Sequence, residues 1–241
     1  MRDDTRSVLR TGRPLDADGE PTEGQALELA PDGRAARLLA DAPRALAAGP
    51  GSGVWATLLE RPDEGETDRP VLLQWLDPDA SQPPAHVHPT TETFEAVSGD
   101  LTVVREGEAA VLAPDESVTV DPGTEHAFYN GTDGVVAFRA RLPSMRTVRT
   151  LYSVWGMDVE GVFGDGPPGS PDRYGEPGPL RGLLLAESLR GETTMTAAPP
   201  AVQRALWASA GRLARLAGYR AVDDRYLEDA FWERHVEQPS L

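Results

Sequence analysis

The stretch PPAHVHPTTETFEAVSGDLTV, residues 83–103, holds two of the chain's four histidines, His86 and His88, with Glu92 four residues on and Gly99 seven beyond that. It reads either as a metal site or as a polar turn between two strands. Successive side chains of a strand alternate faces, so histidines at i and i+2 point the same way and their two imidazoles can share one ion. PTT reads as a turn, and Glu92 opens the next strand, ETFEAVSG, whose near end lies beside the histidines if the two strands form a hairpin. Gly99 permits the tight turn that follows. A further ligand is available in SVTVDPGTEHAFYNG, where His126 enters a strand together with Phe128 and Asn130. Three imidazoles and one carboxylate leave positions open on a six-coordinate ion, where water, dioxygen or a chelating substrate binds. A lone His or Glu in a β protein is more often a surface group, but here three of four histidines fall into one spaced frame. The fourth, His235 in FWERHVEQPSL, reads as a surface residue of an amphipathic, helix-like stretch.

Elements able to position such a cluster follow from the texture of the chain. From GVWATLLE, residues 53–60, to VVAFRARL, residues 135–142, short apolar runs alternate with turn residues such as RPDEGETDRP (61–70), REGE (105–108), PDES (114–117) and NGTDG (130–134). Short strands without helical periodicity between them predict an antiparallel sandwich or barrel. Residues 1–50 read as a loosely structured N-terminal extension, with a strand at QALEL (25–29) and a helix-like patch at RAARLLADA. The β unit is expected over 51–145 and a helical C-terminal extension, packed on it, over 146–241. Within that extension MRTVRTLYSVWGMD and GLLLAESLRG suit helices, and GVFGDGPPGSPDRYGEPGPL (161–180) is too rich in Gly and Pro to be regular. That segment is either a lid carrying Arg173 and Tyr174 or a plain connecting loop. PPAVQRALWASAGRLARLAG is the clearest helix: prolines suit its first turn, Val202, Leu206, Leu213 and Leu216 fall near one face, and Gly218 supplies a stop.

Composition narrows the function classes. There is no cysteine among the 241 residues, so thiolate chemistry is excluded and any ion must be held by nitrogen and oxygen. The formal net charge is −16, and every basic residue other than histidine is arginine, since the chain has no lysine. Such a surface repels phosphate backbones, which argues against nucleic acid. The arginines of the last helix, Arg204, Arg212 and Arg215, read as ordinary solvated polarity rather than a membrane face. No apolar run approaches the roughly 20 residues of a membrane span, and MRDDTRSVLRTGRP lacks a signal-peptide core, so a cytoplasmic location is expected.

These motifs resemble those of the cupins, in particular small microbial single-domain cupins of the cupin 2 conserved-barrel type. The family's first motif, G-x5-H-x-H-x3/4-E-x6-G, is met by His86, His88, Glu92 and Gly99. Its second, G-x5-P-x-G-x2-H-x3-N, is met by Gly123, His126 and Asn130. Departures are Ala80 and Asp115 where each motif opens with Gly, and Asp121 at the proline position, all turn positions. The resemblance implies a mainly β fold, a double-stranded β-helix (jelly-roll) barrel with C-terminal α-helices, often paired as a homodimer. It implies His86, His88, Glu92 and His126 as ligands of one divalent transition ion, with Fe, Mn, Ni, Cu and Zn all acceptable to this donor set. The expected activity is that of a metal-dependent oxidoreductase of dioxygenase type on a small organic substrate. Glu92 would also accept a substrate proton, and Phe94 and Phe128 would line the pocket. Alternatives are a non-catalytic ligand-binding or sensory cupin and a metal-dependent isomerase. An isomerase needs a further acid/base pair, and Glu95, three residues beyond Glu92, is expected to face outward.

Overall fold

The computed structural model describes residues 8–62, 68–167 and 170–240, so residues 63–67 of the turn read at 61–70 and residues 168–169 of the Gly/Pro segment lie outside the described residues. The chain opens with β1 (Leu9–Thr11), β2 (Leu27–Leu29), α1 (Arg34–Ala40) and β3 (Ala47–Gly49). Nine strands follow: β4 (Val54–Glu60), β5 (Val71–Leu76), β6 (His86–Val87), β7 (Glu92–Ser98), β8 (Leu101–Arg105), β9 (Glu108–Leu112), β10 (Ser117–Val120), β11 (His126–Asn130) and β12 (Val136–Arg141). Further along come α2 (Met145–Val159), α3 (Pro179–Ser188), β13 (Thr194–Met195), α4 (Pro200–Leu206), α5 (Arg212–Leu216) and α6 (Asp229–His235), joined by turns and irregular segments. No helix among the described residues is long and apolar enough to cross a membrane.

These strands pair antiparallel throughout. A six-stranded sheet runs β10-β7-β12-β5-β4-β3 and a five-stranded sheet runs β13-β6-β11-β8-β9, while β1 and β2 pair separately. Alternation of buried and partly exposed residues along β7 and β11 turns Phe94 and Phe128 to the inside. There Phe128 of the smaller sheet meets Phe94 and Phe138 of the larger, with ring centroids 5.1 and 5.2 Å apart, and Leu72, Leu101 and Val103 fill in around them. Glu95 points the other way, as expected, and pairs with Arg34 at 2.8 Å and Arg139 at 3.5 Å.

Two expectations need correction. His86 and Glu92 do not belong to one hairpin: β6 lies in the smaller sheet beside β11 and β13, and β7 lies in the larger one beside β10 and β12. Pro89 has no N–H to continue a ladder, so the strand ends and residues 88–91 cross from one sheet to the other. The apolar face of the last long helix is also not the packed one. Val202, Leu206, Leu213 and Leu216 are 47, 43, 67 and 78% exposed, and the buried side is Gln203, Trp207, Gly211 and Ala214. A π turn at Trp207–Gly211 interrupts the regular period there, and the bulk of Trp207 decides which edge is buried.

The segments outside the two sheets hold one another. Trp55 donates its indole N–H to the Gly12 carbonyl at 2.9 Å, Gly12 N–H bonds the Glu237 carbonyl, and Arg13 pairs with the Glu237 carboxylate. β3, inside the stretch read as an N-terminal extension, adds to the edge of the larger sheet, and α2 packs on it. A Cβ on Gly49 would lie 2.5 Å from the Trp155 ring. On another side α2 meets the turn at Asp224–Leu227, where a Cβ on Gly156 would fall 2.1 Å from Tyr226 Cδ1. Tyr226 has nowhere to go, being buried with its hydroxyl on Glu160 at 2.7 Å. Gly156→Ala is therefore expected to destabilise by about 1–3 kcal/mol in urea unfolding, although alanine in an open helix would gain about 1 kcal/mol.

Asp158, near the end of α2, accepts N–H bonds from Gly51 at 2.7 Å and Gly175 at 2.9 Å and ties the 161–180 segment to the turn before β4. Burial pushes its carboxyl from the ordinary 3.8 up to about 6, with the two N–H donors opposing the rise. A carboxyl raised on folding favours the acid form, so its contribution is complete below pH 3.8 and disappears as pH climbs to about 6, a change of at most about 3 kcal/mol. The stability difference between wild type and Asp158→Asn, followed by denaturant unfolding, is expected to shift across that window and to be flat above it.

Candidate metal centre

Each residue of the cluster is delivered by a strand end. His86 and His126 are the first residues of β6 and β11 and face each other as ladder partners. His88 follows two residues after His86 on the same face, and its carbonyl is fixed by the Gly123 N–H at 2.7 Å. Glu92 is the first residue of β7 and comes across from the larger sheet. One potential ligand atom from each of the four lies within 4.8 Å of the others, and the residues are only 2–6% exposed. The imidazole centroids stand 4.5 to 5.2 Å apart.

The outer nitrogens establish which atoms face inward. His86 Nδ1 lies 2.8 Å from the Pro84 carbonyl and His126 Nδ1 lies 3.0 Å from the Thr124 carbonyl. A carbonyl only accepts, so both Nδ1 atoms carry hydrogen and both Nε2 atoms turn toward the cluster. His88 Nδ1 sits between the Glu192 carbonyl at 3.2 Å and the Thr193 hydroxyl at 3.1 Å. Glu92 Oε2 then meets His88 Nε2 at 3.1 Å and His126 Nε2 at 2.8 Å.

Those contacts require positive charge. His126 faces acceptors with both nitrogens, and two lone pairs at 2.8 Å repel unless a proton or a cation lies between them. Without an ion, the proton stays. Burial opposes the imidazolium of His126, yet the hydrogen bonds to Glu92 and the Thr124 carbonyl raise its pKa overall. Burial alone would raise the Glu92 carboxyl, and the bonds from His126 and His88 hold it below the usual carboxylate range. His86 has no such bond to Glu92, and burial lowers it to about 4, leaving its Nε2 lone pair bare at neutral pH. Three imidazoles with their outer nitrogens against backbone carbonyls, two of them bonded to one carboxylate oxygen and the third bare beside them, suit a divalent transition ion.

The other residues singled out in the sequence lie elsewhere. Phe94 and Phe128 belong to the aromatic layer beside the cluster, with Phe94 6.2 Å from the His126 ring. Asn130 serves a turn: its amide donates to the Leu76 and Gly134 carbonyls and its oxygen accepts from Thr132. His235 stacks on Phe231 and bonds the carbonyl of that residue. Arg173 donates to the Glu160 carbonyl, which fastens its segment to the end of α2 rather than to the histidines. The segment that does reach the cluster, Glu192–Thr196, is one that sequence reasoning missed; the β-branched run TTMT is its one signal, that of a short strand.

Residues 72–140 match the Cupin_2 family, described as a cupin domain. No curated protein matches the chain in sequence. Among solved structures, the Cupin_2 domain of an XRE family transcriptional regulator from Enterobacter cloacae is 26% identical, with 36% of this chain and 93% of that one covered and a TM-score of 0.33. A cupin-like protein from Thermotoga maritima is 18% identical over 41% of this chain and 74% of that one, with a TM-score of 0.34. The polyketide cyclase RemF from Streptomyces resistomycificus is 20% identical over 42% and 73%, with a TM-score of 0.36. The matched residues 72–140 contain all four members of the buried cluster, so the cluster lies within the stretch of the chain that matches a cupin domain.

Proposed function

We propose that His86, His88, Glu92 and His126 hold one divalent transition ion inside a closed double-stranded β-helix barrel, and that the protein is a metal-dependent oxidoreductase of dioxygenase type acting on a small organic substrate. The observation that carries the metal reading is the gathering of three imidazoles and Glu92, with one potential ligand atom of each within 4.8 Å of the others and every outer nitrogen already beside a backbone carbonyl. Such an ion supplies Lewis acidity and, for the redox-active metals, electron transfer to dioxygen. The barrel unit spans 51–145, with 1–50 and 146–241 as extensions, and two copies pair in the cytoplasm.

The chain's own residues have separable tasks in this reading. His86, His88 and His126 would each give Nε2 to the ion, His86 from a bare lone pair and the other two in exchange for their bonds to Glu92 Oε2. Glu92 uses Oε2 for His88 and His126, and its Oε1, which has no hydrogen bond among the described residues, is the acceptor for a substrate proton. Phe94 and Phe128 close the inner wall and exclude water. An isomerase needs a second acid or base, and the nearest acidic residue along β7, Glu95, is taken up by Arg34 and Arg139.

Purified protein is expected to carry about one transition ion per chain by elemental analysis, and His86→Ala or Glu92→Ala to lose most of it. Protein that stays metal-free on reconstitution sinks the reading. In an aerobic screen of catechol-like, flavonol-like and diketone compounds, ion-dependent oxygen uptake is the expected result; tight binding without turnover would instead favour a ligand-sensing cupin.

A further inference from the structure

A cleft of about 450 Å³ lies where the turn after α2, the first turn of α3 and the end of α5 meet, within the about 300–1,000 Å³ of small-molecule sites. Val162, Phe163, Leu180 and Tyr219 wall it, and Arg181 is the one charged side chain among its lining residues. The walls are fixed from behind. Phe163 packs against the core, Val162 N–H bonds the Met157 carbonyl at 2.9 Å, and Tyr219 N–H bonds the Ala214 carbonyl at 3.0 Å, where Gly218 at φ +87 ends α5. Val162, Leu180 and Tyr219 nonetheless stay 42, 42 and 37% exposed, so three large apolar side chains face water around one cation.

Arg181 is held in place without a counter-charge. Its guanidinium carbon stands 5.1 Å from the centre of the Tyr219 ring and 5.8 Å from that of Phe163. Nη1 donates to Met157 Sδ at 3.0 Å and to the Arg220 carbonyl at 3.2 Å, both neutral acceptors. Elsewhere on this acidic chain arginines meet carboxylates, as Arg13, Arg34, Arg149 and Arg225 do. Among the described residues no carboxylate lies within ion-pair distance of Arg181. Its Nε and Nη2, an edge that can meet a carboxylate through two parallel bonds, donate to nothing there.

We propose that this cleft binds a small organic monocarboxylate with a flat apolar body, its carboxylate on the Nε–Nη2 edge of Arg181 and its body against Val162, Leu180 and the Tyr219 ring. A flat body suits walls that are aromatic and aliphatic, and a guanidinium already set against two rings loses little freedom when it takes the anion. A single negative charge is favoured, because one guanidinium balances it and the net charge of −16 opposes a dianion such as a phosphate ester. The site stands independently of the metal reading: none of its lining residues belongs to the histidine cluster, and all of them lie outside residues 72–140.

The test titrates the full chain, as purified, with benzoate and phenylacetate, with their neutral amides benzamide and phenylacetamide, and with phenyl phosphate, while NMR shifts report which residues respond. The expected result is saturable shifts at Phe163, Leu180, Arg181 and Tyr219 with at least one carboxylate, at a Kd below about 10 mM, and binding about tenfold weaker or worse for its amide and for phenyl phosphate. Arg181→Gln, which removes the charge, is expected to weaken the carboxylate by about tenfold or more, whereas Arg204→Gln, on the exposed side of α4, leaves it unchanged. Should Arg181→Gln fail to fold, the comparison of carboxylate with amide in wild type still decides. The proposal is overturned if neither carboxylate saturates below about 10 mM, or if the amides or phenyl phosphate bind as well. It is also overturned if Arg181→Gln binds as wild type does, or if the shifts gather away from the cleft, at the histidine cluster included.

Discussion

A carboxylate removed from water must be met by positive charge, and Glu92 is buried among three imidazoles, with no arginine bonded to it among the described residues. That constraint organises the centre. Its answer is either a proton held on His126 or a cation held by all four groups, and the backbone is arranged to serve both. The carbonyls of Pro84, Thr124 and Glu192 orient the rings in either state, so the site is shaped before anything enters it. Because β6 and β11 bring the imidazoles from one sheet and β7 brings the carboxylate from the other, the cluster also clamps the two sheets together at one end of the aromatic layer.

The segments beyond the family's own residues are not passive. The matched domain ends at Ala140, yet the outer partners of His88 come from Glu192 and Thr193. β13 adds to the smaller sheet beside β6, as β3 adds to the larger beside β4. Strands from outside the matched residues therefore cover one edge of each sheet.

Much of the site was legible because its signal is local. His86, His88 and Glu92 lie within seven residues, and strand alternation alone places the two histidines on one face. The partnership of His126 with His86 was legible through residue type and motif. What failed was pairing: a two-residue strand followed by Pro89 carries too few hydrogen bonds to announce which sheet it joins, and a hairpin was the simplest reading. The face of the last helix failed for a related reason, since the π turn at Trp207–Gly211 shifts the period that a regular helix presumes. The contact of Thr193 with His88 could not be found from sequence, because the two residues lie 105 positions apart. One departure from the motif makes sense in structure: Asp115, where the family pattern has Gly, sits at φ +73, in the left-handed region that aspartate tolerates better than most residues, and pairs with Arg34.

The clasp between Thr11, Gly12, Arg13 and Glu237 joins distant parts of the chain, as the 226-residue separation of the Thr11 and Glu237 bond records. During synthesis Thr11, Gly12 and Arg13 wait for a partner that leaves the ribosome long after them, while the Trp55 indole finds its acceptor in the Gly12 carbonyl just past β1. Closure of so long a loop is entropically slow to sample but, once made, ties residues 11–13 to the segment around Glu237. Local opening on either side has to break the same few bonds, so residues 11–13 and the segment around Glu237 are expected to lose protection together.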